Sequence, residues 1–277
     1  MKITVGHTPD ADDAFMFYGM LSGKIPSTHF DVIEVIDDIE SLNRRARIGD
    51  LDVTAVSVHA CASISGYTIL RSGGSFGLGY GPIVVAQDNF DINDLPDSKI
   101  AIPGRMTSAY LLLQLMIGRF DYVEMDFTKI PAAVKDGIVD AGLVIHEGQI
   151  SYAQHDIIKV LDTGEWWSKE TGGLPVPLGI NVIKTSLDYD TIRRFDRYFQ
   201  ESIKCGLANS QEAVKFAMKY GRGNTSELID KFVKMYVNPV TVDMGDDGEK
   251  AIRRMFQMAK DADLVSEFDL EIAPHID

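Results

Sequence analysis

The amino-acid sequence predicts an α/β chain of two lobes with a helical C-terminal third, on three observations. Short apolar runs alternate with helix-spaced segments through the first two thirds of the chain, the rhythm of strand–helix units with mostly parallel sheets. After Ile183 the periodicity becomes helical alone. Two stretches, Gln87–Asp97 and Asn181–Ser186, read as crossings between lobes. Two crossings make one lobe discontinuous, residues 1–87 plus 183–277, with 88–182 inserted as the second. Such a layout opens a cleft between lobes, a favoured place for a ligand.

Taken in order, Ile3–Gly6 is a short apolar strand and Asp12–Leu21 a helix carrying Phe15, Met16 and Phe17. Phe30–Ile36 alternates as a strand, Ile39–Ile48 has helical spacing, and Val53–Val58 is β-branched and apolar. Ile83–Ala86 and Ile100–Ile102 continue the strands, and Ala109–Ile117 is an apolar helix. Tyr122–Phe127, Ala141–Ile145 and Ile157–Leu161 complete them. In the tail, Ser186 caps a helix with Ile192, Phe195, Phe199, Ile203 and Leu207 at three- and four-residue steps. Further helices run from Ser210 to Tyr220, from Thr225 past Tyr236, and from Glu249 to Lys260.

Composition narrows the partners. The 277 residues hold 27 basic and 41 acidic side chains, net −14, so phosphate backbones are excluded as ligands. No apolar run reaches the length of a membrane span or a secretory signal, and Cys61 and Cys205 lie in no metal or redox spacing. The expectation is a soluble cytoplasmic protein that acts on a small molecule, with no nucleic-acid or membrane partner. Its oligomeric state is not written in the sequence.

Gly77-Leu78-Gly79-Tyr80-Gly81-Pro82 looks like a nucleotide loop, but a strand follows it where a dinucleotide fold needs a helix. A tight turn between strands is the better reading. Ile102-Pro103-Gly104-Arg105-Met106-Thr107-Ser108 leads from a strand into a helix. Free amides, the helix dipole and the Thr107 and Ser108 hydroxyls suit an anion there, with Arg105 adding charge; a merely capped helix is the plain alternative. His146 ends the strand Ala141–Ile145, at the edge where open α/β sheets place ligands. A neutral imidazole there serves as a general base. His7 and His59 also end strands, so three histidines are expected to face the cleft. Asp10, Asp12 and Asp13 open a helix, which the dipole alone favours. Trp166-Trp167 and the Pro/Gly run Gly172–Gly179 read as a packed lid or hinge neighbour. No Walker loop, HExxH, GxSxG elbow or nucleophilic Cys–His spacing is present.

In this order, Thr8-Pro9-Asp10-Ala11-Asp12-Asp13-Ala14-Phe15, Asp38–Asn43, Gly77–Pro82, Ile102–Ala109, Asp140–Glu147 and Trp166-Trp167 resemble the 1,4-dihydroxy-6-naphthoate synthase family. The resemblance reaches to about Gly179; the helical tail adds no matching motif. It implies a two-lobed periplasmic-binding-protein-like fold of type II. It further implies cleavage of cyclic dehypoxanthinylfutalosine to 1,4-dihydroxy-6-naphthoate in futalosine-route menaquinone biosynthesis, without metal or organic cofactor. His146 matches the proposed general base, Thr107 and Ser108 the segment holding the substrate, and Asn43, Ser57 and Asp13 cleft-facing positions. The family's usual Ser-Pro-Cys-Pro-Asn-Asp is altered, with Asp10, Ala11 and Asp12 replacing Cys, Pro and Asn. Chorismate dehydratase of the same pathway shares the fold and is the nearest rival; a solute-binding protein for small anions is the rival from another class. Long-range steering does not help an anion reach a protein of net −14, so recognition must be local.

Overall fold

The computed structural model describes residues 1–26, 29–220, 225–266, 268 and 270–275. Two sheets organise it. The first contains β1 (Lys2–His7), β2 (Asp31–Ile36), β3 (Val53–Ser57), β4 (Tyr67–Ile69), β5 (Ser75–Gly77) and β11 (Val176–Lys184), in the order β2-β1-β3-β11-β4 with β5 also on β11. The second contains β6 (Ile83–Ala86), β7 (Lys99–Ile102), β8 (Asp121–Glu124), β9 (Ala141–Val144) and β10 (Ile158–Asp162), in the order β10-β6-β9-β7-β8.

The sheets are mixed, where the strand–helix rhythm predicted mostly parallel ones. β1 is parallel to β2 and β3, and β7 to β8 and β9. β6 and β11 are antiparallel to every neighbour they have. The reason is where they start. Each follows a passage from one sheet to the other and therefore enters its sheet against the direction of the repeating units.

The passages also lie elsewhere than 87/88 and 182/183. β6 belongs to the second sheet and β11 to the first, so the chain crosses at 78–82 and again at 163–175. Residues 88–97 looked like a linker because they are polar. They form a turn on the second sheet's edge, with Asp91 accepting the Asn93 N–H and Leu95 buried. The two passages touch. Thr163 donates its N–H (2.9 Å) and its hydroxyl (2.8 Å) to the Pro82 carbonyl. Gly81 donates to the Asp162 carboxylate at 2.9 Å. A methyl group at Gly164 would fall 2.0 Å from the Tyr80 carbonyl carbon, so glycine is required for the passages to lie this close.

Helices cover the faces: α1 (Ala11–Met16), α2 (Tyr18–Leu21), α3 (Ile39–Arg47), α4 (Ser108–Ile117), α5 (Ile130–Lys135), α6 (Gly148–Ser151), α7 (Thr163–Thr171), α8 (Tyr189–Ala208), α9 (Ser210–Ala217), α10 (Ser226–Tyr236), α11 (Pro239–Val242) and α12 (Gly245–Asp261). The single helix expected over 12–21 is two, divided at Phe17. The cap of α8 is Asp188, whose carboxylate takes the Thr191 N–H, rather than Ser186. Phe15, Phe17, Phe195, Phe199 and Phe232 pack into one core on the first sheet. Each such ring removed from water contributes about 1.5–3 kcal/mol. The second sheet is lined on one face by Ile100, Ile102, Leu113 and Leu143, and on the other by Val85, Ile130 and Val134. Trp167 is fully buried and donates its indole N–H to the Pro175 carbonyl (3.1 Å), so it is core beside the second passage. Among the described residues no helix is long and apolar enough to cross a membrane.

Helix α4 joins the two units. Its residues Ser108–Leu113 are all buried, because they meet apolar surface on two sides. Ala109, Tyr110 and Leu113 pack on the second sheet, whereas Leu111 and Leu112 enter a cluster with Val56 and Ile180 of the first and Phe256 of α12.

Candidate active site

The carboxyl ends of the parallel strands of both sheets face one cavity of about 670 Å³. The first sheet contributes Thr8, Asp12 and Asp13 after β1, Ser57 at the end of β3, Ser75 on β5, Leu178–Asn181 on β11, and Phe232 and Tyr236 on α10. The second contributes Pro82, Thr107–Ala109, Ile145, His146 and Gln149.

His146 follows β9 by two residues and is held at φ +53°. That left-handed conformation costs a non-glycine residue about 1–2 kcal/mol, a strain typical of functional positions. It sets the ring in the cavity wall beside Phe127, 4.8 Å between centroids. Nδ1 lies 3.3 Å from Oδ2 of Asp10, and Nε2 is buried with no hydrogen-bond partner. Gln149 braces this turn. With its amide nitrogen on the Gly81 carbonyl (2.6 Å), its oxygen accepts the His146 N–H and the Tyr236 hydroxyl, both at 3.2 Å.

The start of α4 is occupied differently than the sequence suggests. The Thr107 hydroxyl donates to the Gly104 carbonyl (2.7 Å) and accepts the Tyr110 N–H (3.3 Å), a normal cap. The Ser108 hydroxyl donates to the Leu178 carbonyl (2.6 Å) and accepts the His59 N–H (3.2 Å), both across to the first unit. Ser108 therefore ties the two walls together while lining the cavity. Arg105 does not line it. Its side chain is 65% exposed and lies 3.4 Å from Glu124, because β8 offers a carboxylate on the outer rim. Further out, Arg44 of α3 reaches Glu124 (2.7 Å), and Glu40 accepts the Met106 N–H (3.2 Å).

Ser57 lines the cavity, whereas Asn43 stands one layer behind it. Asn43 donates Nδ2 to the Ser57 hydroxyl (3.1 Å) and accepts the Ser57 N–H (2.8 Å), fixing the serine from α3. Of the three strand-end histidines only His146 borders the cavity. His7 is buried behind it, and His59 turns Nδ1 to the Thr107 carbonyl (3.3 Å).

The acidic run after β1 is buried. Asp13 closes the turn by accepting the Thr8 N–H and hydroxyl, both at 2.9 Å. Asp12 accepts the Ser75 hydroxyl at 2.9 Å. Burial, with Asp13, Asp10 and Glu147 nearby, pushes the Asp12 carboxyl well above the usual carboxylate range. Burial raises Asp13 too, against the pull of His7 and the Thr8 hydrogen bonds, and it raises Glu147, with Asp10 adding to it. Among the described residues no three His, Cys, Asp or Glu side chains are grouped to hold a metal ion.

Ser75, Gln149, Asn181 and Tyr236 were not singled out from the sequence, and Asp12 stood out only at the helix start and as a departure from the family pattern. Asn181 carried a readable signal, an amide inside the apolar run Ile180–Ile183. It donates to the Gly73 carbonyl (2.9 Å) and leaves Oδ1 buried without a partner at the cavity.

Two α/β units around a cleft, with functional side chains at the strand ends of both, define a periplasmic-binding-protein-like fold. An alkanesulfonate-binding protein of Xanthomonas axonopodis pv. citri shares it at TM-score 0.71, covering 98% of this chain and 96% of that one, with 12% identity. A protein of Archaeoglobus fulgidus is nearer, at TM-score 0.91 and 46% identity over 95% of this chain and 98% of that one. The family model described as menaquinone biosynthesis matches residues 3–261. Two relatives called 1,4-dihydroxy-6-naphtoate synthase are 36% identical (Thermus thermophilus, 93% of this chain and 94% of that one) and 32% identical (Streptomyces coelicolor, 95% and 94%). The chain belongs to this family and is an enzyme of menaquinone biosynthesis.

Proposed function

We propose that the enzyme is a carbon–carbon lyase that converts cyclic dehypoxanthinylfutalosine to 1,4-dihydroxy-6-naphthoate, with His146 as the general base. One observation carries the reading. Nε2 of His146 is a buried nitrogen with no protein partner in the wall of the cavity. A base needs such a lone pair within reach of a substrate proton. The substrate's anionic end meets the start of α4, where Thr107–Ala109 border the cavity at the positive end of the helix dipole. Ser57, Asp13 and Ser108 line the same space and Asn43 holds Ser57 in place. Contact between the two units excludes water from the reacting groups.

The test is incubation with cyclic dehypoxanthinylfutalosine and mass-spectrometric detection of the naphthoate, with chorismate as the parallel substrate. His146→Ala is expected to lower kcat by about 10²–10⁴, the usual worth of a general base, while melting stays cooperative. Near-normal turnover in that variant removes His146 as base. Consumption of chorismate instead assigns the dehydratase reaction, and stoichiometric binding without turnover assigns a binding protein.

A further inference from the structure

Asp10 stands at the N-cap of α1, where an aspartate ordinarily accepts a backbone N–H of the first turn. It makes no such bond. Asp38, Asp91, Asp126, Asp162 and Asp188 hold the same place on other helical segments, and every one of them caps. The Ala11 N–H, at the first helical position that an N-cap side chain does not serve, goes to Oε1 of Glu147 at 3.3 Å, reaching over from the second unit. Asp10, 3% exposed, instead turns Oδ2 to Nδ1 of His146 at 3.3 Å. Both acids thus make contacts across the cleft.

We propose that Asp10 is the positioning residue of His146, accepting Nδ1–H so that Nε2 is left bare toward the cavity. This rests on His146 being the base. An acceptor at one ring nitrogen selects the tautomer and fixes the ring plane, which places the lone pair at the other nitrogen. Asp10 follows β1 of the first sheet and His146 follows β9 of the second, so the pair exists only while the two edges meet. Beside the ring are Asp10 from the α1 side and Glu147 next in the chain, with Phe127 on its face. Of these only Asp10 is within ion-pair distance of a ring nitrogen.

The experiment compares Asp10→Ser and Asp10→Ala with the parent enzyme. Serine is a good N-cap but too short to reach His146. A purely capping Asp10 therefore predicts full activity in Asp10→Ser. The positioning role predicts that both variants lose kcat by about 10- to 100-fold, less than loss of the base itself, with KM within about twofold. Nitrogen-15 spectra of histidine-labelled, ligand-free protein at alkaline pH read the tautomer directly, with the His146 signals assigned by their absence in His146→Gln. The parent should show a protonated Nδ1 and a bare Nε2, and Asp10→Ser a mixture. A protonated Nε2 in the parent, or parental kcat in Asp10→Ser, overturns the proposal. The spectra need no turnover, so an inactive His146 assignment and a mistaken role for Asp10 give different results.

Discussion

His7 and His146 occupy equivalent ground, each at the carboxyl end of a parallel strand and each beside a carboxylate, yet their chemistry is opposite. His7 is fully buried, with Nδ1 on the Thr8 carbonyl (2.7 Å) and Nε2 on the Glu34 carboxylate (2.8 Å). Both partners accept when Glu34 is ionised, so both contacts are hydrogen bonds together only when the ring carries a proton on each nitrogen. Phe17 stacks on it at 4.9 Å, and Glu34 also takes the Tyr220 hydroxyl at 2.8 Å. Burial pulls His7 down, but the Glu34 bond, Asp13 and the Thr8 carbonyl outweigh it, and the net displacement is upward. His146 has one nitrogen 3.3 Å from a carboxylate and one with no hydrogen-bond partner. A strand end delivers a histidine to the cavity edge; the count of satisfied nitrogens decides whether it holds the wall or works on a ligand.

The comparison breaks most visibly at His7. His7→Ala is expected to cost about 2–4 kcal/mol in denaturant unfolding, since it strands two buried acceptors and removes a stacked ring. His146→Ala should unfold close to the parent. A His7→Ala protein with parental stability and lost turnover would erase the distinction. The pH dependence has a defined sign. His7 is raised, so its contribution is complete below the ordinary 6.5 and fades as pH climbs through its higher folded value. Glu34 is lowered, chiefly by His7, so its contribution is complete above the ordinary 4.5 and fades as pH falls through its lower folded value. The gap between parent and His7→Gln should therefore be widest between about 4.5 and 6.5.

A smaller effect belongs to Asp12. Its carboxyl is raised by burial, so ionisation at high pH works against folding, a penalty that disappears as pH falls toward the ordinary 3.8. Asp12→Asn should raise Tm at pH 8 by about 2–4 °C, the equivalent of ~1 kcal/mol at this size, and the gain should vanish in acid. A gain that grows toward low pH would show that Asp12 is not the buried acid of this wall. The smallest change is Tyr220→Phe, which removes one hydrogen bond to Glu34 and should cost about 0.5–1.5 kcal/mol by denaturant unfolding, with no change in kcat.

Much of this is legible in the chain before folding. β1, β3, β6 and β9 stand out because apolar β-branched runs end at polar punctuation, and the capped starts of α4 and α10 carry Thr107 and Thr225. β11 is not legible. Pro175, Pro177 and Gly179 read as a turn, yet the strand pairs with β3, β4 and β5, and a register shift lies between Pro177 and Gly179 on the β5 side. Missing it moved the second lobe boundary. His146 and Ser57 are visible as polar residues ending apolar strands. Asp10 is visible only as a departure from the family's pattern, and its role is hidden because an acid at a helix start already has an explanation in the dipole. Its failure to cap, and its contact with His146 from far along the chain, exist only in three dimensions.

The position of β11 also sets an order of assembly. It is the neighbour of β3, whose five residues are all buried, and it also pairs with β4 and β5. As the chain leaves a ribosome at roughly 5–20 residues per second, about 120 residues separate β3 from β11, so β3 waits about 6–24 s for its partner. The second sheet is finished during that wait, its two ends joined where Thr163 meets Pro82. Until then β3 offers an open apolar edge of the kind that recruits other chains. The nascent enzyme is most vulnerable to aggregation in that interval, and the Thr163–Pro82 junction ends it by delivering β11 beside the sheet that lacks it.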